Sequence, residues 1–215
     1  MNVGQKDSLD FSILKPLLDF ALNNYHEFEL HVTNSRKQMA LGPATYVHER
    51  FKHFWSNYTE AWDYLEKNTY PYDVPILDTW MNLYTSTDFD LNSAEGEYFG
   101  LHQDQMDPVL GQRKTLLHVT SILLEKSDDC MGGYLVLGGD SLGMLSAEER
   151  KNDTRDILSR LKVIDMKNPG DCVLWNGETL HGVSEVLKGS RITLMIVKET
   201  SWSESYFKRK DYKDG

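Results

Sequence analysis

The chain has 215 residues, of which 40% are hydrophobic and 26% are charged, and this balance is typical of a globular protein with one sizeable core. Its formal net charge of −10 disfavours duplex nucleic acid and anionic membranes as partners, because both repel an acidic surface. No apolar run approaches the about 20 residues of a membrane span, and residues 1–10 lack the apolar core of a signal peptide. The two cysteines, Cys130 and Cys172, are then most simply free thiols of a cytoplasmic protein.

The amino-terminal third of the chain predicts mainly helices. Ser8 is a candidate N-cap for residues 9–21, whose apolar residues recur at helical spacings, and Pro16 is expected to start or split this helix. Residues 28–32 are a candidate short strand. Residues 46–67 predict the clearest helix, because they contain no Gly or Pro and space large apolar residues three and four positions apart. These residues are Phe51, Phe54, Trp55, Tyr58, Trp62 and Leu65. We interpret them as core packing against a sheet.

From residue 74 onwards the pattern changes to short strands separated by turns. The predicted strands are 76–84, 115–125, 134–137, 163–166, 172–175, 184–186 and 191–198. The Pro-Gly pair at 169–170 indicates a type II turn that would join the fourth and fifth of these strands as a hairpin. Ser146 and Glu149 form a capping box, which predicts an inserted helix over residues 146–161.

Helices followed by a run of strands predict a mainly β fold with a helical flank, of the α+β class, built as a β-sandwich or jelly roll. We expect one domain over residues 1–215. Its helical flank would span residues 1–72, and its β core would span residues 73–201 and carry the helical insert near 146–161. Jelly rolls include the cupins, whose barrel mouths hold metal ions. A metal site inside the barrel is therefore one function that this fold can carry.

A pattern of metal-binding residue types centres on His102 and Asp104, which follow an aromatic segment, 97–101, with the character of a strand. Side chains two positions apart on a strand point to the same face, so the imidazole and the carboxylate can share one metal ion. His181 would complete the 2-His-1-carboxylate triad that binds non-haem Fe(II) and leaves coordination positions open. Chance alone gives about one such His-x-acid pair in this composition, so the pair needs support from the rest of the chain.

That support comes from Arg191, ten residues after His181, and from Thr193 on the same face of an alternating strand. The guanidinium of an arginine suits bidentate binding of a carboxylate, and a threonine can add one hydroxyl hydrogen bond. The pattern thus predicts a ligand that chelates a metal at one end and presents a carboxylate at the other. 2-Oxoglutarate has this chemistry.

The ordered motifs between residues 80 and 201 resemble the Fe(II)/2-oxoglutarate-dependent oxygenases, and their layout is most similar to the prolyl-4-hydroxylase-like branch. The motifs are His102-x-Asp104, Gly132-Gly133, Pro169-Gly170-Asp171, His181-x-Val183 and Arg191-x-Thr193. The resemblance implies a double-stranded β-helix, the jelly roll of this family, behind the amino-terminal helices. It also implies that His102, Asp104 and His181 are the catalytic residues, because they would bind Fe(II).

The resemblance implies a site for the co-substrate as well. Arg191 would pair with the far carboxylate of 2-oxoglutarate, Thr193 would assist, and Tyr84 would line the pocket. The implied reaction hydroxylates an unactivated C–H bond and decarboxylates 2-oxoglutarate to succinate. Its cofactors are Fe(II), 2-oxoglutarate and O2, and ascorbate is a candidate addition.

The chain departs from the pattern of the prolyl hydroxylases in two places. Phe99 stands where they usually have Tyr, with Tyr98 one step away, and Arg191 replaces their Lys anchor, which weighs against a prolyl substrate. DNA-repair members of the superfamily carry a second Arg where this chain has Val197, so a nucleobase substrate is disfavoured, in agreement with the net charge. We therefore expect an amino-acid-like small molecule or a peptidyl side chain as substrate. The sequence makes no prediction of oligomeric state.

Other residues have weaker signals. Trp80, Trp175 and Asn176 are candidate substrate contacts, whereas His118 is expected to be a structural histidine within its strand. Two alternatives to an enzyme stay open. One is a non-catalytic, cupin-like domain that binds a metal or senses a small ligand, and the other is an interaction domain in which the triad is accidental.

Overall fold

The structure is a computed structural model of the protein. It describes residues 4–30, 36–42, 51, 53–86, 104, 115–138 and 161–201. His102, the predicted strand 97–101 and residues 146–160 of the predicted inserted helix lie outside these residues. The described part is mainly β and contains two α-helices, Phe11–Asn23 (α1) and Thr59–Asn68 (α2). None of the described helices combines the length and the apolar character that crossing a bilayer requires.

The described strands are numbered in chain order. The first six are β1 (Lys6–Ser8), β2 (Glu29–Leu30), β3 (Arg36–Ala40), β4 (Ile76–Thr85), β5 (Thr115–Lys126) and β6 (Met131–Gly132). The others are β7 (Leu135–Gly138), β8 (Leu161–Ile164), β9 (Asp171–Asn176), β10 (His181–Val183), β11 (Val186–Lys188) and β12 (Ser190–Ser201). The predicted strands at 76–84, 115–125 and 191–198 are thus confirmed, with small differences at their ends.

The described strands form a large sheet, a small sheet and a two-stranded ribbon. The large sheet has the order β1-β9-β5-β12-β4-β3-β2, the small sheet has the order β10-β7-β8, and β11 pairs with β6. Every described strand pair is antiparallel. The long strand β12 lies at the centre, because it pairs with β4 on one side and with β5 on the other along most of its length.

The two faces of the large sheet bury two separate hydrophobic clusters. Alternate residues of β12 divide between them, since Ile192 and Leu194 face the helices whereas Met195 and Val197 face the small sheet. The helix-side cluster includes Leu14, Leu17, Leu65, Met81 and Ile122. The interior cluster, between the two sheets, includes Val119, Leu135, Leu137, Ile164, Val173 and Trp175. Two facing antiparallel sheets with helices packed on one outer face confirm the predicted mainly β, jelly-roll class with a helical flank.

The start of the first helix differs from the prediction. Ser8 lies in β1 and is not the N-cap, whereas Asp10 is, because its carboxylate accepts the backbone N–H of Ser12 at 3.0 Å. Pro16 lies inside α1 without ending it, and its side chain is exposed, so its ring meets solvent on the outer side of the helix. β1 and the short β2 and β3 also place strands of the large sheet within residues 1–72.

The prediction of one long helix over residues 46–67 was wrong in its described part. A 3-10 helix, Phe54–Asn57, comes first, and α2 begins only at Thr59 because Tyr58 leaves the helical region with φ −131° and ψ 42°. Ser56 and Asn57 end the 3-10 helix, and their side chains favour helix ends over helix interiors. The aromatic spacing reflects packing instead, since Phe54 meets Tyr58 at a centroid distance of 4.7 Å.

The prediction of a hairpin between residues 163–166 and 172–175 was also wrong, although the turn between them is confirmed. Gly170 has a φ of 91°, and the N–H of Asp171 donates to the carbonyl of Asn168 at 2.9 Å, as in a type II turn. β8 pairs with β7 in the small sheet, whereas β9 pairs with β5 in the large one. The buried side chain of Met166 lies in the interior cluster, so the chain crosses from one sheet to the other at this point.

Candidate active site

A band of polar residues lies on the interior wall that β4 and β12 form. Arg191 and Thr193 alternate onto the same face of β12 as Met195, which packs in the interior cluster. In the ladder, Arg191 pairs with Tyr84 and Thr193 pairs with Asn82. All four polar side chains are buried, so these groups lie inside the barrel and away from bulk water.

Arg191 is the most unusual member of this band. Its side chain is only 2% exposed, and it makes no ion pair or hydrogen bond with the other described residues. Burial lowers the pKa of its guanidinium, which nevertheless stays charged in proteins. The carboxylate of Asp165 is already bonded to Lys126 at 2.8 Å. A buried cation without a counter-ion is costly, so this arrangement indicates a site for an anionic ligand.

The surroundings of Arg191 leave further bonding capacity for such a ligand. The guanidinium carbon lies 5.7 Å from the ring centroid of Tyr84, a cation–π distance that holds the arginine against the wall. The hydroxyl oxygen of Thr193 and the amide oxygen of Asn82 are buried without a hydrogen-bond partner in the described part of the chain. Buried polar atoms are normally satisfied, so these two groups also suit contacts with a bound molecule.

Gly133 provides the space for the arginine. A Cβ atom at this position would lie 2.7 Å from the Cδ atom of Arg191 and 2.9 Å from a methyl carbon of Val186. Its φ of 67° also lies in the left-handed region, which favours glycine. The glycine motif that the sequence places before the second histidine therefore has a local physical role, because any larger residue would displace Arg191.

A second group of side chains joins distant parts of the chain. The Nε2 atom of His181, on β10, lies 3.4 Å from the Oδ2 atom of Asp104. The same oxygen accepts a hydrogen bond from the indole Nε1–H of Trp175, on β9, at 3.2 Å. The rings of Trp175 and His181 pack together at a centroid distance of 4.8 Å. Two of the three predicted metal ligands are therefore neighbours, and His102 lies outside the described residues.

The hydrogen bonding of His181 defines its tautomer. Its Nδ1 atom lies 3.0 Å from the carbonyl oxygen of Thr179. A carbonyl can only accept, so Nδ1 carries a hydrogen, and the Nε2 atom faces Asp104. Metal-binding histidines commonly use this arrangement.

The spacing of the two donor atoms suits a shared metal ion. Two ligand atoms bound at right angles to one metal, each at about 2.1 Å, are about 3.0 Å apart. The observed separation of 3.4 Å between His181 Nε2 and Asp104 Oδ2 requires only a small adjustment to reach that value. The described residues contain no group of three ligand side chains, which is consistent with His102 lying outside them. An imidazole and a carboxylate are donors that suit Fe(II).

Known proteins match this chain by structure, at low sequence identity. No protein-family model and no curated protein matches the sequence. Among solved structures, an oxidoreductase of the 2OG-Fe(II) oxygenase family from Burkholderia pseudomallei aligns over 85% of this chain and 76% of its own, with 12% identity and a TM-score of 0.49.

Two prolyl hydroxylases each align over 90% of this chain. A prolyl-4-hydroxylase from Pseudomonas putida aligns over 90% of this chain and 91% of its own, with 12% identity and a TM-score of 0.48. A prolyl hydroxylase from Trichoplax adhaerens, solved with a hypoxia inducible factor peptide, aligns over 90% of this chain and 83% of its own, with 14% identity and a TM-score of 0.48.

The other residues singled out in the sequence have different surroundings. Trp80 is partly buried and packs against the interior cluster, and its indole N–H has no hydrogen-bond partner among the described residues. Asn176 pairs with His118 across the ladder and therefore alternates away from Trp175, on the opposite face of β9. His118 bonds to the hydroxyl of Thr200 at 2.8 Å on the helix side, which agrees with a structural role.

Sequence reasoning missed two features of the site. Asn82 stands two residues before Tyr84 in a predicted strand, so simple alternation could have placed it in the same pocket. Trp175 was interpreted as a candidate substrate contact, whereas its indole contacts Asp104 and His181. No local signal in the sequence points to that contact, because Asp104 approaches β9 from a distant part of the chain.

The two thiols are free, as predicted, and burial raises the pKa of both. For Cys172 the value reaches about 12, so this cysteine is a packing residue of the helix-side cluster.

Proposed function

We propose that the protein is an Fe(II)/2-oxoglutarate-dependent dioxygenase. It hydroxylates an unactivated C–H bond of an amino-acid-like small molecule or a peptidyl side chain and converts 2-oxoglutarate to succinate and CO2. The observation that carries the proposal is the buried Arg191, whose Nε atom has no hydrogen-bond partner among the described residues and which lies on the same interior wall as the cluster that contains Trp175. Trp175 in turn contacts the pair formed by Asp104 and His181.

In this proposal, His102, Asp104 and His181 hold the metal. The hydrogen bond to the carbonyl of Thr179 keeps a hydrogen on Nδ1 of His181, so that Nε2 would be the atom that binds the metal. When bound, Fe(II) together with 2-oxoglutarate and O2 supplies the oxidising power for the hydroxylation. The contribution of the chain is to position the reactants and to exclude water from the barrel interior.

Arg191 would hold the far carboxylate of 2-oxoglutarate, since a guanidinium suits bidentate pairing with a carboxylate, and the hydroxyl of Thr193 would assist. The ring of Tyr84 holds the guanidinium in place from the neighbouring strand. Burial of an isolated ion costs several kcal/mol, and no described residue forms an ion pair with Arg191. A carboxylate ligand offsets that cost, so the site favours a dicarboxylate over a simple keto acid.

We propose a class of substrate and not a single compound. The net charge of −10 argues against duplex nucleic acid, and the candidates remain an amino-acid-like small molecule and a peptidyl side chain. We also propose that the protein is cytoplasmic and that ascorbate keeps the iron in the ferrous state.

The direct test is succinate release from 2-oxoglutarate, with Fe(II) and ascorbate present and a mixture of amino acids and peptides as substrates. We expect turnover by the wild-type protein and none by His181→Ala, which lacks one metal ligand. His26→Ala is the matched control, because His26 is an exposed histidine that bonds Glu27 on the surface, and its activity should equal that of the wild type.

Mass spectrometry of the mixture should also show a substrate that gains one oxygen. If the wild-type protein and His181→Ala were equally silent across a broad substrate screen, the proposal of an enzyme would be wrong. Metal binding without any turnover would then favour the cupin-like sensor.

A further inference from the structure

Trp175 joins the hydrophobic interior of the barrel to the proposed metal ligands. Its side chain is 1% exposed and packs in the interior cluster with residues of β5, β7 and β12. Its polar atom nevertheless leaves the cluster, since the indole N–H donates to Asp104 Oδ2 at 3.2 Å. One face of the same indole packs on the imidazole of His181, with an interplanar angle of 39°.

We infer that Trp175 is a positioning residue that fixes Asp104 and His181 in the arrangement that binds the metal. The inference rests on the proposed function, because it assigns a task within that same site. Trp175 itself would not touch the metal and would act through the two ligands.

The hydrogen bond explains how the carboxylate is oriented. Asp104 Oδ2 faces both the indole N–H and the Nε2 atom of His181, so a single oxygen is held at the point where the two proposed ligands meet. Rotation of the carboxylate about its Cβ–Cγ bond would break the bond to Trp175. The indole therefore selects the rotamer that presents Oδ2 towards His181.

The ring contact restricts His181 in a complementary way. The carbonyl of Thr179 holds the Nδ1 edge of the imidazole, and the indole of Trp175 packs against the ring at a tilt of 39°. Both ligands are thus restricted before any metal arrives, so less side-chain entropy is lost on binding. Partners of this kind typically contribute a factor of about 10–100 to metal affinity.

Trp80 can be compared with Trp175, because it also packs against the interior cluster. The indole N–H of Trp80 has no hydrogen-bond partner among the described residues. Replacement of either tryptophan by phenylalanine removes an indole N–H and shortens a side chain that contacts the cluster. Only the replacement of Trp175 removes a bond to a proposed ligand.

The experiment compares Trp175→Phe with Trp80→Phe in Co(II) binding without 2-oxoglutarate, followed by calorimetry and by the visible absorption of the bound ion. We expect Trp175→Phe to weaken Co(II) binding by about 10–100-fold and to change the absorption bands, because the ligands lose their fixed geometry. Trp80→Phe should bind Co(II) within about twofold of the wild type and keep its spectrum. Thermal unfolding of both variants measures how much each substitution lowers stability, so that a loss of Co(II) affinity can be separated from a loss of folded protein.

The outcomes separate this inference from the function on which it rests. If Trp175→Phe kept the wild-type affinity and spectrum, Trp175 would be only a core residue, and the oxygenase proposal would stand. If the wild-type protein bound no Co(II), both would be wrong.

A measurement on the wild-type protein covers the case in which Trp175→Phe does not fold. The protein has five tryptophans, and their indole N–H signals can be assigned with single Phe variants of the other four. Addition of Zn(II) should move the Trp175 signal more than the Trp80 signal, since the metal draws charge from the acceptor Oδ2. A larger shift of the Trp80 signal would contradict the inference.

Discussion

Individual buried polar residues in this protein fall into two kinds, which separate folding from function. Asp171 and Lys198 are buried and satisfied, with three hydrogen-bond partners each. Arg191 and Thr193 are buried with polar atoms that no described residue satisfies. Since an orphaned buried group costs about 1–3 kcal/mol, the first kind stabilises the fold and the second kind lowers its stability until a ligand binds.

Asp171 illustrates the stabilising kind and supports a prediction about pH. Burial would raise the pKa of its carboxyl, but the backbone N–H groups of Lys167 and Asn168 and the ammonium of Lys6 lower it below the usual range. Its stabilisation is therefore fully present above the unfolded-state pKa of about 4 and is lost as the pH falls through the lower folded-state pKa. We expect Asp171→Asn to reduce the free energy of unfolding at pH 7 by about 1–3 kcal/mol in urea denaturation.

The pH series provides the decisive comparison for Asp171. The difference between the wild type and Asp171→Asn should be constant from pH 7 to about pH 5 and should shrink below about pH 4. Lys6→Met is the matched control, and it should cost less than about 1 kcal/mol, because its side chain is 40% exposed and water screens the ion pair. A difference that grows as the pH falls would contradict the assignment.

Helices and strands could be predicted from the sequence where the local residue pattern determines them. They could not be predicted where contacts with a distant segment of the chain determine them. The strands around Tyr84, Leu123 and Thr193 follow from β-branched and apolar alternation, which any sheet would favour. The break at Tyr58 and the separation of β8 from β9 depend on which sheet receives each segment, and no local spacing contains that information. The same division holds for the site, since Asp104 and His181 have a motif whereas the role of Trp175 depends on the completed fold.

Lys198 shows how two elements are joined by one residue. Its ammonium, at the far end of β12, donates to the carbonyls of Glu66, Thr69 and Pro71 at 2.6, 2.8 and 3.0 Å, at and just beyond the end of α2. Burial lowers its pKa to about 8, so it is mostly charged at pH 7 and can donate all three bonds. It thereby satisfies carbonyls that a helix end leaves open.

We expect Lys198→Met to lower the free energy of unfolding by about 2–4 kcal/mol, because methionine fills the space but leaves those carbonyls without a donor. Urea denaturation at pH 7 measures this loss. Lys188→Met, at an exposed lysine whose nitrogen lies 3.6 Å from Asp129, should change stability by less than about 1 kcal/mol. Equal effects of the two substitutions would show that Lys198 does not join β12 to α2.

At the scale of the whole molecule, the jelly roll uses its two clusters for different tasks. The helix-side cluster is apolar and packs α1 and α2 against the large sheet. The interior between the sheets combines apolar packing with a polar band that ends at Arg191. Stability and binding are therefore linked through the interior, because any ligand that pairs with Arg191 acts on the folded state alone.

Because of this linkage, we expect Arg191→Met to stabilise the protein without a ligand and to remove its stabilisation by 2-oxoglutarate. Arg191→Met should raise the melting temperature of the ligand-free protein, because it replaces a buried charge, which no described residue pairs, with an apolar side chain of similar length. With Mn(II) in place of Fe(II), 2-oxoglutarate at 100 times its dissociation constant should stabilise the wild type by about 2.7 kcal/mol, a shift of about 5–10 °C for a chain of this size. Arg191→Met should lose that shift, and 2-oxobutyrate, which lacks the far carboxylate, should produce little shift in either protein. If Arg191→Met were destabilised and still responded fully to 2-oxoglutarate, the arginine would be a structural residue and the carboxylate would bind elsewhere.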